Sequence, residues 1–302
     1  MPTSKSEFKD LLLDLLWSLW EELGVPGTVR RRHGDVFIDP EPLVLFTALH
    51  GRLDPRLRDE SIDWVITHGE YVSKARIKNL RKSWSAEEDT SFARYAATVN
   101  AYTELGWPDD DATVLSFRPR ARAVLRDLAP TPLLSLRIRA MFGVSARAEL
   151  IRVFVSNPDA AFTATELAEE TAYVRRQVVR ALESLQLAGL IRSLRAGANT
   201  RFELARGADL AALVGPRPAR SPRWQAVLLV FKEILDLLDR AAGQGELEAS
   251  LSVSRFFEAH RDELDQAEIE GLRKSQRAIG KAGLAAFQHW AAQVVRSYAR
   301  VG

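Results

Sequence analysis

The chain has 302 residues, 46% of them apolar and 27% charged, with a formal charge of +2 and no cysteine. This length and balance fit two or three packed domains and exclude bulk disorder, disulfides, thiol nucleophiles and cysteine-held metals. The longest stretch without a formal charge, Ala282–Val295, is too short and too polar to span a membrane.

Charges at Lys5, Glu7, Lys9, Asp10 and Asp14 break any secretory leader, so the expected compartment is the cytoplasm. Arginine outnumbers lysine by 34 to 8, a bias that GC-rich coding explains more simply than phosphate recognition. The elements in chain order begin with a helix over Ser6–Leu23, where Phe8, Leu11, Leu12, Leu15, Leu19 and Leu23 share one face and Trp17 and Trp20 widen it. Thr28–Arg32 and Asp35–Ile38 read as a short hairpin across His33-Gly34. Helices are then expected at Pro42–His50, Leu57–His68, Ser73–Trp84 and Glu87–Leu105, with another near Arg120–Leu128. The Ser73–Trp84 segment holds Lys74, Arg76, Lys78, Arg81 and Lys82 and no acid. Lys74, Lys78 and Lys82 form a second basic candidate contact, although a solvated helix face is the commoner outcome for such a run. The Arg30-Arg31-Arg32 triplet is read in the same way.

Residues 145–206 carry the most specific pattern. Ser145–Ser156 reads as a helix closed by Asn157-Pro158. Thr163 and Glu166 have capping-box spacing and open a short second helix that ends near Thr171. A third runs from about Ala172 to Ala188 and stops at Gly189. Leu190–Arg195 and Thr200–Leu204 alternate as strands, with residues 196–199 as their turn. Beyond it, Gly215–Pro222 has three prolines and reads as a linker. The remainder is helical, with one stripe through Trp224, Val227, Leu228, Phe231, Ile234, Leu235 and Leu238. Leu284, Phe287, Ala291, Val294 and Tyr298 make another. Each stripe is either intramolecular core or a dimer seam.

The order helix, short helix, long helix, hairpin resembles a winged helix-turn-helix. ELA at Glu166–Ala168, VVRALESL at Val178–Leu185 and AGLI at Ala188–Ile191 are similar to the core of bacterial ArsR- and MarR-type regulators, over about 60 residues. The absence of cysteine departs from ArsR-type metal sensing. The expected fold is therefore mainly α, with a central winged helix-turn-helix (α+β) at 140–207. A helical N-terminal domain at 1–130, a Pro-rich linker at 208–222 and a helical C-terminal region at 223–302, the candidate for dimerisation, flank it.

Taking Val178 as the core direction, Tyr173, Arg176, Gln177 and Arg180 fall on the exposed ridge of the third helix, and Arg175 at its edge. In helix-turn-helix docking that half enters the major groove, where Arg pairs with guanine and Gln with adenine. Arg195, Asn199 and Arg201 mark the wing as a phosphate contact. Ala172–Arg206 holds seven Arg and two Glu. The reading is a sequence-specific, dimeric, DNA-binding transcriptional regulator without a cofactor. Its rival is a protein-interaction adaptor or antitoxin-like module using the same winged helix. The five histidines show no metal-ligand spacing, and no nucleophile or nucleotide motif is present, so neither metal nor catalysis is expected.

Overall fold

In a computed structural model, residues 5–28, 33–197, 199–272 and 280–299 are described. They are mainly helical, with one two-stranded antiparallel sheet. The chain divides into two compact units. The first comprises residues 1–19, 27–32 and 222–302, and the second residues 20–26 and 33–221.

The first unit contains most of α1 (Lys5–Glu22) together with α11 (Trp224–Ala241), α12 (Glu246–Ala259), α13 (Arg261–Gln266) and α14 (Lys281–Tyr298). The stripe on α11 is buried along its whole length. Phe231 meets Phe8 and Tyr298 edge-on, at 6.5 and 5.9 Å between ring centroids. Phe256, Phe257, Phe287 and Trp290 form a second aromatic cluster between α12 and α14. The two apolar stripes are thus used as core within this unit.

The second unit begins with α2 (Pro40–His50), α3 (Pro55–His68), α4 (Lys74–Leu80) and α5 (Ala86–Asn100). Local chemistry starts each of them. Pro40 and Pro55 occupy first-turn positions where a missing N–H costs nothing. Asp54 accepts from the Arg56 and Leu57 amides at 2.9 and 3.1 Å, and Ser85 with Glu88 forms a capping box. Residues 101–130 follow without helix or strand. The helix expected near Arg120–Leu128 is absent, because the Asp63 carboxylate captures the amides of Arg120, Ala121 and Arg122 at 2.7–3.0 Å. Ala121 takes a positive φ of 50° to present them.

After a 3₁₀ turn come α6 (Leu134–Phe142), α7 (Ala146–Ser156), α8 (Ala164–Thr171), α9 (Arg175–Leu187), the strands β1 (Ile191–Ala196) and β2 (Asn199–Leu204), and α10 (Gly207–Val214). The Thr163–Glu166 capping box is formed as the spacing predicts. Gly189 takes φ 69° just past α9, which an L residue rarely adopts. Ile191 pairs with Leu204 and Ala196 with Asn199. Phe162 exchanges both backbone hydrogen bonds with Phe202, which ties the entry of α8 to the hairpin. This order of elements is compatible with a winged helix.

Several expectations need correction. The predicted third helix starts three residues late, at Arg175. The helix after Ser85 ends at Asn100 rather than Leu105, where the Asn100 side chain turns to bond the Trp107 backbone. Val36 pairs with Arg220; residues 29–32 of the expected hairpin, including the arginine triplet, lie outside the described residues.

The core of the second unit contains charge. Asp39, Glu41 and Glu149 meet Arg76, Arg139 and Arg152, each at most 6% exposed. Arg76 holds Asp39 through two bonds of 2.6 Å and also donates to Glu41. Arg139 reaches Glu41 at 2.7 and 2.9 Å and Glu149 at 2.7 and 2.9 Å, and donates to the Tyr71 carbonyl. Arg152 donates to Glu149 at 2.9 Å and stacks 4.6 Å over Phe37. The amide of Ser73 completes Glu41 at 2.6 Å. Three carboxylates and three guanidinia balance, which is the condition under which buried charge is tolerated. Burial alone would raise the Glu149 and Asp39 carboxyls. The guanidinia of Arg139, Arg76 and Arg152 outweigh it at Glu149, as Arg76 does at Asp39, and both are held below their ordinary range. At Glu41 burial prevails over Arg139 and Arg76 and pushes the carboxyl up.

Two consequences are measurable. Replacing Arg139 by Met leaves Glu41 and Glu149 short of partners and should cost about 3–5 kcal/mol in urea unfolding; a loss below about 1 kcal/mol would mean the cluster is not formed in solution. The lowered Asp39 and Glu149 contribute stability that is complete above their ordinary values of 3.8 and 4.5 and is lost as pH falls toward their folded values. Glu41 acts with the opposite sign, but its contribution changes only above its ordinary value of 4.5. Unfolding free energy should therefore drop as pH falls below about 4, and a flat profile there would contradict the pairing.

Candidate nucleic-acid interface

The segment joining α8 to α9 is gripped by α4. Arg76 Nε donates to the Thr171 carbonyl at 2.8 Å, Asn79 donates to the Ala172 carbonyl at 3.0 Å, and the Ser73 and Tyr173 hydroxyls bond at 2.8 Å. Ala172 is left-handed, with φ 54°. Three consecutive residues of the turn are therefore each fixed by one side chain of α4 or its cap. Tyr173 is not on an exposed ridge, as the sequence suggests. It precedes the helix, is buried, and burial pushes its hydroxyl pKa up. Val174, close to the Val178 side by helical spacing, is 42% exposed as the N-cap of α9.

Downstream, α9 buries Val178, Ala181, Leu182 and Leu185. Arg175, Arg176, Gln177 and Arg180 are all exposed. At about 100° per residue, Arg176 and Arg180 flank the direction opposite Val178, with Glu183 and Leu187 continuing that ridge toward the C-terminus. The cations are thus confined to the N-terminal half. None of the three guanidinia has a hydrogen-bond or ion-pair partner among the described residues, so this end of the helix presents free donors to solvent.

The hairpin separates its arginines by role. Arg195 and Asn199 are exposed at its tip. Arg192 is paired across the strands with Glu203. Arg201, expected as a wing contact, is half-exposed but engaged within the fold. It donates to the Ala161 carbonyl at 3.1 and 2.7 Å and pairs with Glu166 at 3.2 Å, joining the hairpin to the cap of α8.

On and after α4, Lys74, Lys78 and Lys82 are exposed. The other cations of that segment have structural partners. Arg76 lies in the buried cluster, and Arg81 pairs with Asp89 at 2.8 Å while lying 4.1 Å over Phe92. Lys74 and Lys78 fall roughly 160–200° around α4 from Arg76, on the side away from the turn that α4 grips. The basic run thus divides between a structural face and a solvated one. Among the described residues, no group of three or more His, Asp or Glu side chains has metal-site geometry. No helix there is long and apolar enough to cross a membrane.

The feature that sequence reasoning missed is the anchoring of the turn. Its signals, a buried Arg76 and a short polar Asn79, are indistinguishable in sequence from solvated residues. Removing the Tyr173 hydroxyl (Y173F) should cost about 1 kcal/mol of stability. In a double-mutant cycle with Ser73→Ala the two losses should not add, whereas additive losses would place the tyrosine elsewhere. No protein-family model, curated protein or solved structure matches the chain.

Proposed function

We propose that the protein binds double-stranded DNA through a winged helix-turn-helix formed by α7, α8, α9 and the β1–β2 hairpin, and that it acts as a transcriptional regulator. The observation that carries this reading is the unpaired cationic face of α9, built from Arg175, Arg176, Gln177 and Arg180. It is exposed while its helix is seated by four buried apolar residues. In this reading Arg176, Gln177 and Arg180 contact base edges in a major groove, each bidentate pair contributing about 1–3 kcal/mol of discrimination. Arg175 and the wing residues Arg195 and Asn199 contact phosphates. Tyr173 and Arg201 are supports, not contacts. A homodimer would match two half-sites about one DNA turn apart.

A second reading uses the same module for a protein partner. Leu187 is 91% exposed at the end of α9 and Leu194 is 41% exposed on β1, large apolar side chains that a DNA-binding surface does not require. In that case complexes recovered from cells survive nuclease treatment.

Fluorescence anisotropy on sheared, labelled genomic duplex, with sequencing of the bound fraction, separates the two. DNA binding predicts affinity that falls steeply between about 50 and 200 mM salt, together with enrichment of a short motif. Arg176→Ala with Arg180→Ala should erase the enrichment. Arg195→Ala should instead weaken all sequences alike and lower the salt slope by about one. No binding at the lowest salt would overturn the proposal.

A further inference from the structure

The β1–β2 hairpin has one partnered edge and one open edge. Phe202 of β2 exchanges both backbone hydrogen bonds with Phe162, at 2.7 and 2.9 Å, so its N–H and C=O point away from β1. Ser193 stands opposite Phe202 in the register. The two therefore form a non-hydrogen-bonded pair, and the backbone N–H and C=O of Ser193 point outward from β1. The same phase turns the backbone of Arg195 outward, two residues on. Neither backbone has a hydrogen-bond partner on that side among the described residues. Arg192, Ser193, Leu194 and Arg195 are all exposed, so solvent reaches this edge.

An open strand edge is a template for another strand, and proteins cover or blunt most of them. No proline and no bulge interrupts β1, and Leu194 at its middle is a large apolar side chain 41% exposed. Its Arg192 is already paired across the hairpin with Glu203. The long apolar stripes of α11 and α14, the other surfaces that could join two copies, are consumed as core.

We propose that β1 pairs antiparallel with β1 of a second copy, about a two-fold axis through Leu194. The outward backbones select this register. Ser193 of each copy exchanges N–H and C=O with Arg195 of the other, one pair of hydrogen bonds on each side of the axis. Leu194 then meets its own counterpart as a non-hydrogen-bonded pair, with Cβ atoms about 4.5–5.5 Å apart. Arginine never faces arginine, because Arg192 lies opposite Ala196 and Arg195 opposite Ser193. The edge is thus complementary to itself in hydrogen bonding, apolar contact and placement of charge, as an isologous interface requires. Only the backbone of Arg195 is used, so its side chain stays available to phosphate. The pairing gives the homodimer of the DNA reading its contact, and it forms without DNA.

The test therefore uses the full-length protein alone. The chain has no cysteine, so Leu194→Cys introduces a single thiol on the axis. Leu213→Cys on α10, at a leucine 60% exposed, controls for chance collision. Under mild oxidation Leu194→Cys should form the disulfide-linked dimer at least about tenfold faster than the control. Sedimentation equilibrium then follows the cysteine-free chain. Ser193→Pro removes an N–H that the β1–β2 ladder does not use, so the hairpin is kept. It should weaken dimerisation about tenfold or more, one hydrogen bond being lost from each copy. Equal cross-linking of the two cysteines, or dimerisation unaffected by Ser193→Pro, would overturn the assignment. So would a chain still monomeric at about 200 µM, which would leave the edge to a strand of another protein. Duplex binding by such a monomer would leave the nucleic-acid reading standing.

Discussion

The second unit is organised around six buried charges. Asp39, Glu41 and Glu149 come from the start of α2 and from α7, and Arg76, Arg139 and Arg152 from α4, α6 and α7. Taking these groups out of water is expensive, and an apolar cluster of the same volume would often be as stable. What the ion cluster adds is directionality. Arg76 and Arg139 each satisfy several acceptors at fixed angles, so α4, α6 and α7 have few ways to pack that leave no charge unpaired.

That constraint reaches the turn before α9 through Arg76. Its guanidinium end is consumed by Asp39 and Glu41, while its Nε is left to hold the Thr171 carbonyl. Asn79 and Ser73 fix the next two residues. The start of α9 is therefore positioned by α4, ahead of the α7–β2 segment, and not by that segment alone. In the proposed function this rigidity matters because base readout tolerates little misplacement, and side chains on a seated helix lose less freedom on binding than side chains on a loose one. The same network separates structural arginines from available ones. Arg76, Arg139, Arg152 and Arg201 have their acceptors inside the protein, whereas Arg175, Arg176 and Arg180 have none among the described residues.

The parts of this arrangement that were legible in the sequence are those governed by neighbours in the chain. The capping box at Thr163–Glu166, the stop at Gly189 and the antiparallel pairing of the two strands all depend on residues close in the chain, and each formed. The parts that were not legible depend on distant partners. The α6 segment, LSLRIRAMF, alternates apolar and polar residues as a strand would; it is a helix buried on several sides because Arg139 finds Glu41 and Glu149. Residues 120–128 have helical spacing, but Asp63, nearly sixty residues earlier, holds the first three of their amides. Tyr173 looked like part of α9 because Ala172 carries no mark of its left-handed backbone. Of the expected contacts, Arg175, Arg176, Gln177, Arg180, Arg195 and Asn199 are exposed because exposure on a helix face or hairpin tip follows from local periodicity.

Hydrogen exchange followed by mass spectrometry, with and without a bound duplex, tests the account most directly, because it locates contact along the chain without assuming which residues make it. Duplex is expected to slow exchange in the first turns of α9 and at the hairpin tip around Arg195–Asn199, and to leave α4 and residues 101–130 unchanged. Protection confined to α4, or no protection in α9 despite saturated binding, would contradict it.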